Sequence, residues 1–182
     1  MNRLSKGFYV GSIAGGLGLG ILVLVITVVL MVGLGGNISE DEAAIAIVPA
    51  VLLMFYGGIV MLVLWYKAWA AIQDGQARTT PGKAVGFLFI PLFNLYWIFQ
   101  AIHGFAKDYN SYVDRHSPGL PKLSEGMFLA YCILVLAGII PILGPLFSLA
   151  AVGVMIALCG KVCDAVNALP AGPVAAPPPA AA

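Results

Sequence analysis

The chain has 182 residues, 61% of them hydrophobic and only 9% charged, against roughly 25% charged in an ordinary soluble domain. That little polar surface cannot cover a globule of this size, so a soluble monomer is excluded. A mean hydropathy of +1.00, with apolar runs of bilayer length, points to an integral membrane protein. Nine basic against eight acidic residues give a net charge of +1, which argues against nucleic acid as a partner.

The N-terminal residues MNRLSKGFYV place basic groups before an apolar stretch that is longer than a signal-peptide core and lacks a convincing cleavage site, so a retained first transmembrane helix is expected. This first segment runs from about Phe8 to Gly36. Gly11 with Gly15, and Gly16 with Gly20, have the small-xxx-small spacing that lets helix backbones approach closely. Packing against the chain's own helices is the first reading of these glycines, and self-association the second. In the polar loop that follows, Ser39 and Glu42 fit a capping box for segment two, from about Ala43 to Ile72. As a helix that segment would be about 45 Å long, longer than a hydrocarbon core of about 30 Å, so its end must emerge. Trp65, Tyr66, Lys67 and Trp69 mark the crossing, because amphipathic aromatics settle at headgroup depth and lysine snorkels. Asp74-Gly75 then ends the helix.

Thr80 as N-cap with Pro81 in the first turn starts the next helix. Segment three, Ala84 to Phe105, is broken at Ile90-Pro91-Leu92-Phe93-Asn94, where proline removes a backbone donor and Asn94 is placed to cap a new helix. Beyond the break Leu95, Ile98, Phe99, Ile102, Ala106, Tyr109 and Val113 share one helical face, and Gln100, His103, Lys107, Asn110 and Asp114 the other. An amphipathic helix is expected there. After the turn Ser117-Pro118-Gly119-Leu120-Pro121, with Ser124 as a cap, the apolar run from Met127 to Leu158 divides at Pro141, Gly144 and Pro145 into a hairpin of two helices. Residues 170–182 are almost only Pro and Ala, which reads as a disordered tail after a single polytopic domain over 1–169.

Charge sets the expected topology. Glu40, Asp41 and Glu42 lie in the first loop without Lys or Arg, while Arg3 and Lys6 precede segment one and Lys67, Arg78 and Lys83 follow segment two. The positive-inside rule then puts the N-terminus in the cytoplasm. If segment three dips in and returns, every basic residue lies inside; if it crosses, the basic residues are split between the two sides. The expected fold is therefore all-α, with four transmembrane helices plus a proline-broken re-entrant or interfacial segment and both termini cytoplasmic.

Two breaks, Ile90-Pro91 and Ile140-Pro141, are each followed by Lys, Asp and Asn: Lys107, Asp108 and Asn110 after one, Lys161, Asp164 and Asn167 after the other. This hints at an internal repeat, and paired broken helices are also a pointer to transporter sites. Catalytic motifs are not found: there is no His-Glu-x-x-His and no Gly-x-Ser-x-Gly, and Gly82-Lys83 lacks the rest of a phosphate loop. His103, His116, Asp108 and Asp114 are read as solvated residues rather than a metal site, and no cofactor is implied. Cys132, Cys159 and Cys163 lie in or beside apolar runs and imply no disulfide framework.

The runs Trp69-Ala70-Ala71-Ile72-Gln73, Thr80-Pro81-Gly82-Lys83-Ala84-Val85-Gly86-Phe87, Ile90-Pro91-Leu92-Phe93-Asn94-Leu95-Tyr96-Trp97 and Ala106-Lys107-Asp108-Tyr109-Asn110 resemble a family of uncharacterised bacterial multi-pass membrane proteins. The resemblance covers about the middle quarter of the chain. It implies a bacterial inner-membrane location and a domain of unknown function, and it carries no catalytic residues. The function expected is a non-enzymatic scaffold or interaction protein that binds a protein partner or lipid headgroups on a cytoplasmic rim of Trp65, Trp69, the loop Gln76 to Lys83, Gln100, His103, Lys107 and Asn110, with Asn94 a further candidate binding residue at the break. The alternative is a small transporter or channel component built on the breaks at Pro91, Pro141, Gly144 and Pro145.

Overall fold

The computed structural model describes residues 3–33, 39–141 and 143–170, and among these every regular element is helical. The expected tail from 171 onward and the loop before Ser39 lie outside the described residues. The chain divides into two compact units, Lys6–Val63 and Met1–Ser5 with Leu64–Ala182.

In the first of these units, α1 (Lys6–Ile13) runs through a π-helical stretch, Ala14–Leu19, into α2 (Gly20–Gly33). The returning arm of this hairpin is the first part of α3 (Glu40–Ala71). The capping box is made: the Ser39 backbone N–H donates to the Glu42 carboxylate at 3.0 Å, and Glu42 N–H reaches back to Ser39 Oγ at 3.3 Å. The Ser39 N–H, and the Ser39 hydroxyl donating to the same carboxylate at 2.9 Å, hold the Glu42 carboxyl below its ordinary range. A Cβ on Gly16 would stand 2.7 Å from the Cα of Gly57, and one on Gly20 would meet Met54, so these two glycines are consumed in packing α3. Gly11 and Gly15 have nothing within 4 Å of the same position.

The other unit begins with the end of α3, whose Leu64, Trp65, Ala68, Trp69 and Ile72 are buried. Pro81 opens α4 (Pro81–Gly86), with Thr80 Oγ1 accepting the Lys83 N–H at 3.4 Å as the sequence predicts. A 3-10 turn, Phe87–Phe89, leads to the proline break, and the chain returns as α5 (Phe93–Ile98), a π-helical turn (Phe99–His103) and α6 (Gly104–His116). The two arms close on each other: Trp97 Nε1 donates to the Ala84 carbonyl at 3.1 Å, and Phe87 packs edge-on to Trp97 and Phe93. Segment three therefore doubles back as a hairpin. Asn94 does not cap the returning helix, in contrast to the expectation; Leu92 occupies that position with φ at 61°, and Asn94 lies within α5. The final hairpin is α7 (Glu125–Ala137) and α8 (Gly144–Ala168), divided at Pro141 as expected. Ser124 is the N-cap of α7, but its side chain makes no capping bond.

Among the described residues three helical stretches are long and apolar enough to cross a membrane: Lys6–Met31, Ile47–Ala71 and Gly144–Ala168. Four were expected. The fourth is α7, which is apolar but has 13 residues, and at about 1.5 Å per residue it rises only ~20 Å, short of a core of about 30 Å.

Candidate functional site

The polar groups of the second unit gather around the loop between α3 and α4 and the returning arm of the middle hairpin. The loop is fixed first by its own turn chemistry: Gly75 takes φ of +84°, a region favouring glycine, and Asp74 Oδ1 accepts the Gln76 N–H at 2.9 Å. The other oxygen of Asp74 accepts from Arg115 Nη2 at 2.6 Å, tying the loop to the last turn of α6. Burial of Asp74 raises its pKa, but the bond and charge of Arg115 and the Gln76 N–H outweigh that, so the carboxyl titrates below its ordinary value.

A second tie lies further along the loop. The Arg78 backbone N–H and side-chain Nε donate to the two oxygens of Asp108, each at 2.8 Å, with Nη2 also 2.7 Å from Oδ1. Nη1 reaches Gln100 Oε1 at 3.3 Å, and Gln100 Nε2 donates to the Tyr96 hydroxyl at 3.1 Å. Asp108, Arg78, Gln100 and Tyr96 thus form one polar ladder up the returning arm. His103 stands beside it, its pKa lowered first by burial, then by the positive charges of Lys107 and Arg78, against the opposing pull of Glu125. Lys107 is exposed.

The expected rim residues separate into two groups. Gln100 bonds Arg78, and His103 feels the charges of both Arg78 and Lys107. Trp65 and Trp69 do not reach the surface: both are buried, packed edge-on against Phe105, and Trp69 Nε1 donates to the Ala101 carbonyl at 3.0 Å. Asn110 is buried as well. Its carboxamide closes on the Leu123 backbone, donating to the carbonyl at 3.0 Å and accepting the N–H at 2.8 Å, with a further bond to Glu125. The Asn94 Oδ1 is buried without a hydrogen-bond partner. Two pairs that build the site, Arg78 with Asp108 and Asp74 with Arg115, were not singled out from the sequence. They are 30 and 41 residues apart, so no local spacing signals them. Among the described residues no group of His, Cys, Asp and Glu could hold a metal ion.

Compared with family models, with curated proteins and with solved structures, the chain finds no match. Its functional reading therefore rests on geometry.

Proposed function

We propose that the protein is a non-enzymatic membrane scaffold or interaction protein of a bacterial inner membrane, with its working surface on the cytoplasmic face. The observation that carries this reading is the ladder from Asp108 through Arg78 and Gln100 to Tyr96, which braces the loop after α3 against the returning arm. A surface braced by ion pairs suits a fixed docking platform, with Lys107 and Lys83 exposed for a partner or for anionic headgroups. In this reading the middle hairpin is re-entrant. Its first arm, Pro81–Phe89, has a rise of about 15 Å, half of what a crossing needs. Its return then brings Lys107 and Arg115 back to the side of Lys83, in line with the positive-inside rule. Four crossings remain part of the proposal, with α7 and the turn after it taken together as the fourth.

The test is topology. Single cysteines at Lys83 and Lys107, in a chain with Cys132, Cys159 and Cys163 replaced by alanine, are exposed to a membrane-impermeant thiol reagent on intact cells, with Asp41→Cys as the outside control. Protection of both beside a labelled Asp41→Cys is expected. Labelling of position 107 with protection of position 83 would mean a crossing segment three and would sink the platform reading.

A second reading has one observation in its favour. The unpartnered, buried Asn94 Oδ1 sits in the first turn after the Pro91 break, where a transporter would place a substrate-binding polar group. Solute flux in liposomes that is abolished by Asn94→Leu would favour it over the scaffold.

A further inference from the structure

The carboxamide that ends the middle hairpin has counterparts elsewhere. Asn110 closes on Leu123, and Asn167 closes on Leu4 in the same way: Nδ2 donates to the Leu4 carbonyl at 2.8 Å and Oδ1 accepts the Leu4 N–H at 2.7 Å. Gln73 donates from Nε2 to the Thr79 carbonyl at 3.2 Å. Each latched residue stands two positions before a helix start, at Lys6, Pro81 and Glu125. Each is followed by the same pattern, a hydroxyl residue, any residue, then glycine: Ser5 to Gly7, Thr80 to Gly82, Ser124 to Gly126.

The helices that carry the carboxamides match too. Before each of them the residues one, four, five, eight and nine positions back are buried, so that Ile72, Tyr109 and Val166 correspond, as do Trp69, Ala106 and Cys163. The tips of the second and third hairpins share their turn. Asn94 N–H bonds to Ile90 O and Gly144 N–H to Ile140 O, while Phe93 N–H bonds to Pro91 O and Leu143 N–H to Pro141 O.

We infer that three carboxamides tie the end of one helical hairpin to the start of another, and that, of the two that bond both the N–H and the C=O of their partner, Asn167–Leu4 opens before Asn110–Leu123. The end of hairpin one holds the start of hairpin two, the end of two holds the start of three, and the end of three returns to the start of one. The chemistry suits the task. At Leu4 and Leu123 one carboxamide takes up both the N–H and the C=O of main chain just ahead of a helix, since it offers a donor and an acceptor side by side; at Thr79 only the carbonyl is taken.

The three closures differ in what backs them. Asn110 is buried and is reinforced by Glu125. Gln73 is exposed, is anchored to the Trp69 carbonyl of its own helix and makes one bond to Thr79. The Asn167 latch, which like Asn110 makes two bonds, is only half-buried. Its opening frees the Leu4 main chain, directly ahead of the first membrane helix, while the Asn110–Leu123 closure holds.

Amide hydrogen exchange on the full chain in lipid nanodiscs tests this, because the Leu4 and Leu123 N–H groups are themselves latch donors. In the wild type Leu4 is expected to exchange faster than Leu123. Asn167→Ala is expected to raise the Leu4 rate about tenfold and leave Leu123 unchanged, while Asn167→Gln, which keeps both functions on a longer stem, restores part of the protection. An unchanged Leu4 rate in Asn167→Ala, or a Leu123 that opens before Leu4, overturns the inference. Should Asn167→Ala fail to fold, the wild type alone carries the test: Leu4 exchanging faster than Leu123 supports the inference, and the reverse order overturns it.

Discussion

Arg78 lies across the bare Cα of Gly104: a Cβ at that glycine would stand 3.1 Å from both Cδ and Nη1 of the arginine. The guanidinium is pinned on the far side by Asp108 and Gln100, so its stem has little room to retreat. Gly104 is in this sense part of the ladder, though it offers no polar group.

An alanine scan of two glycines isolates that contact. Gly126 has nothing within 4 Å of its Cβ position, so Gly126→Ala is expected to gain the ordinary helix-propensity benefit of up to about 1 kcal/mol. Gly104→Ala gains the same propensity but shifts Arg78. The charge-assisted bonds lost are partly exposed and screened, which limits their worth to about 1 kcal/mol. Thermal unfolding in detergent should therefore show Gly126→Ala stabilised and Gly104→Ala level with the wild type or below it. Equal stabilisation of the two would mean that Arg78 moves aside without cost.

His103 gives the site a pH response with a definite sign. Its pKa in the folded chain is lowered by burial and by Lys107 and Arg78, so the unfolded chain binds the proton more readily. The stability contributed by keeping the ring neutral is fully present above its ordinary value near 6.5 and is lost as the pH falls through that value toward the lowered one. Unfolding followed from pH 7.5 to 5 should show the wild type weakening in this window and His103→Gln weakening less. Parallel curves for the two proteins would refute the assignment.

The glycines of the first membrane helix divide by what they touch. A Cβ on Gly16 would stand 2.7 Å from the backbone of Gly57 and Leu53, a clash that no side-chain rotation relieves. Gly16→Ala must push the two helices apart and forfeit packing, at about 1–3 kcal/mol. Gly11→Ala enters open space and is expected to be neutral or mildly stabilising. Resistance to heat-induced aggregation in detergent would rank Gly11→Ala with the wild type and Gly16→Ala well below it. The reverse order would show that the close approach of Gly16 and Gly57 is not kept in the membrane.

Local chemistry was the legible part of this chain. Ser39 with Glu42, Thr80 with Pro81, and the division at Pro141 each depend on residues within a few positions of one another, and each forms as read. Asn94 was misread because a proline followed by asparagine signals a cap, whereas the turn places Leu92 there with φ at 61°. Periodicity placed Asn110 on a solvated face, yet burial extends round α6 to Phe105, Asn110 and Tyr112, because this helix is covered on more than one side. Of the apolar side, Ile98, Ile102, Ala106, Tyr109 and Val113 are buried, while Phe99 is half-buried and Leu95 exposed. The ion pairs of the site join residues distant in sequence, and each takes its meaning from the hairpin that brings them together. Lys107, Asp108 and Asn110 against Lys161, Asp164 and Asn167 hint at a repeat, and the two asparagines do the same work.

The two buried tryptophans of α3 make the sharpest comparison, because they share a ring partner and differ in one bond. Both pack edge-on to Phe105, with centroids 5.5 Å away in each case. Trp69 Nε1 donates to Ala101 O at 3.0 Å, at a π-helical turn where the backbone ladder is irregular. Trp65 Nε1 is buried without a partner. Phenylalanine at either position removes similar ring area, so the lost packing is much the same. Trp69→Phe also leaves a carbonyl without its donor, adding about 1–3 kcal/mol, whereas Trp65→Phe removes an unpaired donor and recovers part of its desolvation cost. Chemical unfolding of the two variants side by side should place Trp69→Phe the lower by about 1 kcal/mol or more. If Trp65→Phe is equally or more damaging, its indole N–H has a partner in the membrane, and a water or lipid oxygen beside Trp65 becomes the feature to look for.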